Sequence, residues 1–148
     1  CPICKEELQL MENSLKCQHR HSYDLAKFGY VNLAPQVKQS KDYDKTSFQN
    51  RQLILEAGFY QQISDSLIQI LKETKNFATI LDVGCGEGYY ARKIQEQFPD
   101  KTIYAFDLSK DSIQLAAKSD SSLAIRITLT RKWSSIFKNT SISFLHLM

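Results

Sequence analysis

Apolar positions along the chain follow helical and strand periods in turn. Residues 48–57 predict a short helix stopped by Gly58 at its C′ position. Ile63, Leu67, Ile70 and Leu71 then recur at helical spacing, so a second helix should end near Lys75. Residues 78–83 form a short apolar run leading into glycines and read as a buried strand. Residues 89–98 fit a helix with Tyr90, Ile94 and Phe98 on one face, broken by Pro99-Asp100. A second strand follows over 102–108. Ser109 then caps another helix that runs to about Lys118, with Asp111 placed to suit its dipole. Strand, helix, strand, helix at this spacing predicts βαβ units and a parallel sheet. From 123 to 130 apolar and other residues alternate. That suits a half-exposed strand better than a central parallel one, which reads as a continuous apolar run.

Composition narrows the class. The 148 residues are 43% apolar and 24% charged, which excludes wholesale disorder, collagen and coiled coil. No apolar run reaches the roughly 18 residues of a membrane span. No basic-then-apolar leader is visible, so the expected compartment is the cytoplasm and no membrane partner is expected. The net charge of +3 is uneven: residues 121–148 carry Arg126, Arg131, Lys132 and Lys138 and no acid. Four regions are expected: a Cys/His and aromatic head (1–34), a polar Pro-bearing linker (35–47), an alternating helix and strand region (48–120) and an acid-free tail (121–148).

Three of the four cysteines lie in the first 17 residues. Cys1-Pro2-Ile3-Cys4 is a C-x2-C knuckle, and Cys17 is followed by His21. Residues 8–15 are long enough for a hairpin that joins the two pairs into a tetrahedral zinc site. His19 competes for the fourth place, but its short gap from Cys17 strains the chelate and favours His21. Four protein ligands leave no open position, so the expected Zn2+ is structural, and it would help fold a module with little core of its own.

The second motif is Asp82-Val83-Gly84-Cys85-Gly86-Glu87-Gly88, at the end of the first strand of the parallel region. Its glycines permit a sharp turn and close approach of a ligand, and the next helix offers free N–H groups. Asp107 ends the following strand, about 19 residues on, where its carboxylate can accept both hydroxyls of a ribose. A nicotinamide loop would need glycine where Tyr89 stands. Gly88, with Asp82 two residues before Gly84, instead fits S-adenosylmethionine (SAM). Cys85 reads as a small packing residue.

Together these segments resemble the bacterial large-subunit ribosomal RNA guanine-N1 methyltransferases of the RlmA/RrmA type. CPIC…CQHRHSYDLAKFGYVNLAP is close to that family's zinc-binding head, LEAGFYQQI to the helix before its catalytic domain, and LDVGCGEGYYARKI and FDLSKDSIQLAAK to its SAM motifs. The resemblance implies a Rossmann-like SAM-dependent methyltransferase fold of class α/β, partial here, behind an N-terminal zinc ribbon. It matches Cys1, Cys4, Cys17 and His21 to zinc ligands, Tyr60 to a tyrosine contacting SAM, and Gly86 and Glu87 to cofactor contacts. Without the resemblance, Tyr60 reads as helix packing. The implied reaction is methyl transfer to guanine N1 in a large-subunit rRNA hairpin, whose base leaves its stack to reach the pocket. Lys27, Lys38, Lys41 and Lys45 become candidate phosphate contacts, and Phe28 and Tyr30 head packing. A homodimer is the assembly state carried with this reading.

The resemblance stops near Asp120. The segment IFKNTSISFLHLM is only faintly similar to the family's loop and fourth strand, and Trp133 reads as local packing. Residues 121–148 are therefore expected to be aberrant or incomplete, of the kind a frameshift or premature stop produces, and methyl transfer by the 148 residues alone to be slight. The competing reading is a non-catalytic zinc-binding, RNA-binding fragment. Titration with SAM separates the two.

Overall fold

The computed structural model describes residues 1–35, 45–74, 77–119, 126–128 and 142–146, the last two segments by backbone alone. The chain opens with an antiparallel meander of β1 (Gln9–Met11), β2 (Ser14–Lys16) and β3 (Ser22–Asp24), in which Lys16 pairs with both Gln9 and Ser22. Its strands bury only Leu15 and Tyr23, too little apolar surface for an independent core.

The next strand leaves the meander. Gly29, at φ +77°, lets the chain reverse, and β4 (Tyr30–Asn32) runs to the edge of a second sheet. That sheet has the order β4-β7-β6-β5-β8, formed with β5 (Thr79–Val83), β6 (Thr102–Asp107), β7 (Arg126–Thr128) and β8 (Ile142–His146). Every neighbouring pair is parallel. Segment 1–34 thus contributes a strand to the second sheet. The expected third strand is present as β7, flanked on its outer side by the short β4, a near-edge place that suits its alternating pattern. The tail segment likened to a fourth strand pairs beside β5.

Four helices complete the described fold: α1 (Lys45–Glu56), α2 (Gln61–Glu73), α3 (Tyr89–Gln97) and α4 (Lys110–Ser119). α1 starts three residues before the predicted boundary and ends before Gly58, whose φ is +85° and whose N–H bonds to the Leu55 carbonyl at 3.0 Å. α2 closes at Glu73. In α3 the buried positions are Tyr89, Ala91 and Ile94. Tyr90, expected beside Ile94, is only half-buried, because the helix turns Tyr89 and Ala91 inward instead. Ser109 caps α4 as predicted, its Oγ accepting the Ser112 N–H at 3.3 Å.

The parallel sheet separates two apolar clusters. Ile80, Ile103, Ala105 and Tyr30 pack with Leu71, Ala91, Ile94 and Ile113 of the helices. Leu81, Phe106 and Val31, the alternate positions of the same strands, pack with Leu33 and with Leu15, Cys17, Tyr23 and Cys1 of the ribbon. A parallel sheet needs cover on both faces. Among the described residues, helices cover one face and the ribbon covers the other.

Candidate functional site

In the ribbon, Cys1, Cys4, Cys17 and His21 converge, with their ligand atoms within 4.8 Å of one another. His21 Nδ1 lies 3.5 Å from Cys1 Sγ and 3.3 Å from Cys17 Sγ, and the Cys4 and Cys17 sulfurs are 3.6 Å apart. Tetrahedral zinc with Zn–S of about 2.3 Å sets neighbouring sulfurs about 3.8 Å apart, so the donor set fits the metal. Two tight turns build it. The Lys5 N–H bonds to the Cys1 carbonyl and the Arg20 N–H to the Cys17 carbonyl, both at 2.9 Å, with Lys5 and Arg20 at positive φ. Burial works to raise the Cys17 thiol, but backbone bonds from His21 and His19 and the Cys4 side chain outweigh it and hold the thiol below its ordinary range, favouring the thiolate. His19 stays outside the cluster.

The glycine loop is tied to the neighbouring strand. Gly84, at φ +82°, starts the turn, and the Gly84 and Cys85 N–H groups both bond to the Phe106 carbonyl at 2.8 and 3.1 Å. Asp107 Oδ2 accepts the Gly86 N–H at 3.0 Å, and Oδ1 accepts the Ser109 N–H at 2.8 Å. Each carboxylate oxygen retains acceptor capacity for a hydroxyl. Gly88, at φ +80°, caps α3. β5 lies between β6 and β8, so the strand order reverses here, at the crevice where open α/β sheets bind ligands.

A cavity of about 680 Å3 opens at this point, lined by Ser47, Asn50, Arg51, Ile54 and Leu55 of α1, by Tyr60 and Ile63, and by Asp82, Gly84, Cys85 and Tyr90. Its size suits a nucleoside cofactor. Burial, with Asp107 and Glu87 adding repulsion, pushes the Asp82 carboxyl up to about 7. Glu87 is 1% exposed, and burial also raises its carboxyl, while Arg51 Nε stands 3.6 Å from its Oε1.

Of the candidate cofactor residues, Tyr60, Asp82 and Gly84 line the cavity. Tyr60 is 46% exposed, so it is not a core-packing residue. Gly86 and Asp107 meet through their hydrogen bond, Gly88 packs toward Ala116, and Glu87 lies buried beside Arg51 without lining the cavity. Cys85 belongs to the helix-side core, as a packing residue should. The sequence reading missed Ser47, Asn50, Arg51 and Ile54. Their spacing marks one face of α1, a signal that apolar periodicity alone passes over.

Tyr30 is buried in the helix-side cluster, and its hydroxyl accepts the Gln114 amide at 3.2 Å. Phe28, expected as packing, is instead 42% exposed, with Lys27 and Lys118 Nζ 6.0 and 5.6 Å from its ring centre. The turn at Gly29 leaves its ring outside both cores. Lys45 is exposed at the start of α1. Lys38, Lys41 and Trp133 lie outside the described residues. No described helix is long and apolar enough to cross a membrane.

Sheet order, glycine turn and terminal acid together define a Rossmann-like domain of the SAM-dependent methyltransferase class, joined to a zinc ribbon. Residues 1–41 match the zinc-ribbon family described as RlmA, N-terminal, and residues 80–141 match a methyltransferase domain family. The chain therefore joins a ribbon similar to that of RlmA to a methyltransferase domain. It is 25% identical over 122 residues to the 23S rRNA (guanine(748)-N(1))-methyltransferase of Streptomyces fradiae, covering 80% of this chain and 44% of that protein. A malonyl-[acyl-carrier protein] O-methyltransferase of Halalkalibacterium halodurans is 39% identical over 67 residues, covering 42% of this chain and 25% of that one. The chain thus spans less than half the length of these curated relatives. Haemonchus contortus phosphoethanolamine N-methyltransferase 2, solved with SAM, shares the fold at TM-score 0.50 and 18% identity, over 63% of this chain and 25% of its own.

Proposed function

We propose that the chain binds SAM and belongs to an enzyme that methylates N1 of a guanine in large-subunit ribosomal RNA, in the cytoplasm. The observation that carries this reading is an RlmA-type ribbon packed on the same sheet whose strand ends carry the glycine-loop cavity. Bound SAM would supply an electrophilic methyl on a sulfonium. Asp107 would take the ribose hydroxyls, the loop from Gly84 to Gly88 would lie against the adenosyl group, and Tyr60 would close the cavity from α2. Guanine N1 carries a proton, so the enzyme must share or remove it while aligning N1 with the methyl. A base displayed in a hairpin loop can leave its stack to enter such a site. The exposed Phe28 ring, with Lys27 and Lys118 beside it, offers stacking and phosphate contacts of the type single-stranded RNA uses. In the domain division we propose, residues 1–34 recognise RNA, residues 35–47 link the two parts, and residues 48–120 begin the cofactor domain.

Calorimetric titration of the zinc-loaded chain with SAM tests the reading, followed by labelled methyl transfer to a 23S rRNA fragment. An N1 methyl blocks the Watson–Crick edge, so the product would stop reverse transcription at one guanine. Absence of SAM binding would favour a non-catalytic zinc-binding RNA module instead.

A further inference from the structure

The cavity contains a cation that neither motif supplies. Arg51 lies on α1, outside the glycine loop, yet its Nη1 stands 3.8 Å from the point where a side chain on Gly86 would begin. The guanidinium therefore sits over the bare backbone of the loop. It also lines the cavity, with its side chain 54% exposed. Behind it, Glu87 is 1% exposed, its Oε1 3.6 Å from Arg51 Nε, and its Oε2 has no hydrogen-bond partner among the described residues. Arg51 is the stronger of the two cationic influences on that carboxyl, Arg92 being the other, and a buried carboxylate paired in this way fixes where the guanidinium rests. A guanidinium has five donors in a planar fork, and pairing along Nε leaves others for a second carboxylate. Asp82 also lines the cavity, so a guanidinium and an acidic residue share it. A nucleoside bearing a zwitterionic amino-acid head matches that polarity, and an uncharged nucleoside does not.

Building on the SAM reading, we propose that Arg51 receives the carboxylate of the methionyl moiety, and that Glu87 is the positioning residue that holds its guanidinium over the glycine loop. The test compares SAM with 5′-methylthioadenosine, which keeps the adenosine and a methyl-bearing sulfur, as a neutral thioether, but lacks the amino-acid head. Arg51→Gln should weaken SAM binding by roughly 10–100-fold, the worth of a charge-assisted hydrogen bond, and leave methylthioadenosine within about twofold. Glu87→Gln should weaken SAM binding by a smaller factor with the same selectivity. Should Arg51→Gln fail to fold, Arg51→Lys keeps the charge without the fork and should show an intermediate, SAM-selective loss. Equal loss of both ligands, or unchanged SAM binding, in a variant with a native melting profile overturns the proposal. A wild-type chain that binds methylthioadenosine and SAM equally well keeps the cofactor site but overturns the role of Arg51. A wild-type chain that binds neither removes the SAM reading and this inference with it.

Discussion

Asp107 accepts the Gly86 N–H through Oδ2 at 3.0 Å, so the acid at the end of β6 holds the loop that follows β5. The bond makes one carboxylate both a brace for the glycine turn and the candidate ribose acceptor. Asp107→Ala should lower SAM affinity at least tenfold by removing both roles. Asp107→Asn, which can still accept the N–H, should lose less. Calorimetry on the two variants checks this, and equal affinity in wild type and Asp107→Ala would refute it.

Two glycines of the same loop should respond differently to a methyl group. A Cβ on Gly88 would meet Ala116 Cβ at 3.0 Å, at φ +80°. A Cβ on Gly86 would find its nearest neighbour at 3.8 Å, on the flexible Arg51 side chain. Both substitutions carry left-handed strain of about 1–2 kcal/mol. Gly88→Ala adds a steric conflict between the loop and α4. Urea midpoints should therefore fall further for Gly88→Ala than for Gly86→Ala, and the reverse order would contradict the packing described.

Asp82 should make the chain less stable as pH rises. Burial, then Asp107 and Glu87, raise its folded value to about 7, against an unfolded value of 3.8. The folded state therefore holds a proton that the unfolded state releases. The stabilisation is complete below the unfolded value and is lost as pH climbs through about 7. The loss between pH 5 and 8 should be up to about 3 kcal/mol relative to Asp82→Asn, which has no such proton. Comparing the two proteins cancels the opposite pH dependence of the zinc ligands. A cationic ligand beside Asp82 favours its charged form, so bound SAM should flatten the slope. Parallel pH profiles for wild type and Asp82→Asn would refute the assignment.

Zinc removal should be felt at the cofactor loop. Cys1 and Cys17 share one apolar cluster with Leu81 and Phe106, the residues just before Asp82 and Asp107. Chelation, or Cys17→Ser, should lower the melting temperature and weaken SAM binding severalfold, with recovery on adding Zn2+ to the chelated wild type. Full zinc loss with unchanged SAM affinity would show that the two sites are independent.

Much of this arrangement is legible in local patterns. The two knuckles announce themselves by spacing, because tight turns fix ligand positions over a few residues. The strand, loop and helix from Thr79 to Gln97 are similarly local. Long-range pairings are not. Nothing in Tyr30–Asn32 signals that it will lie parallel to β7, nearly 100 residues away, since such pairing depends on which edge is open once the sheet forms. Arg51 escaped notice for a related reason: its role comes from where α1 crosses the loop, and its own segment reads as a plain surface helix.

The ribbon's place against the sheet also bears on how a nucleic acid could be measured out. Because Val31 and Leu33 lock the metal-bearing segment onto β5 and β6, it cannot swing on a tether like a flexible arm. The span from the Phe28 surface to the cavity mouth is set by the protein. On the RNA reading proposed above, that fixed span would act as a gauge, setting how far a nucleotide at the opening lies from the RNA held at the ribbon.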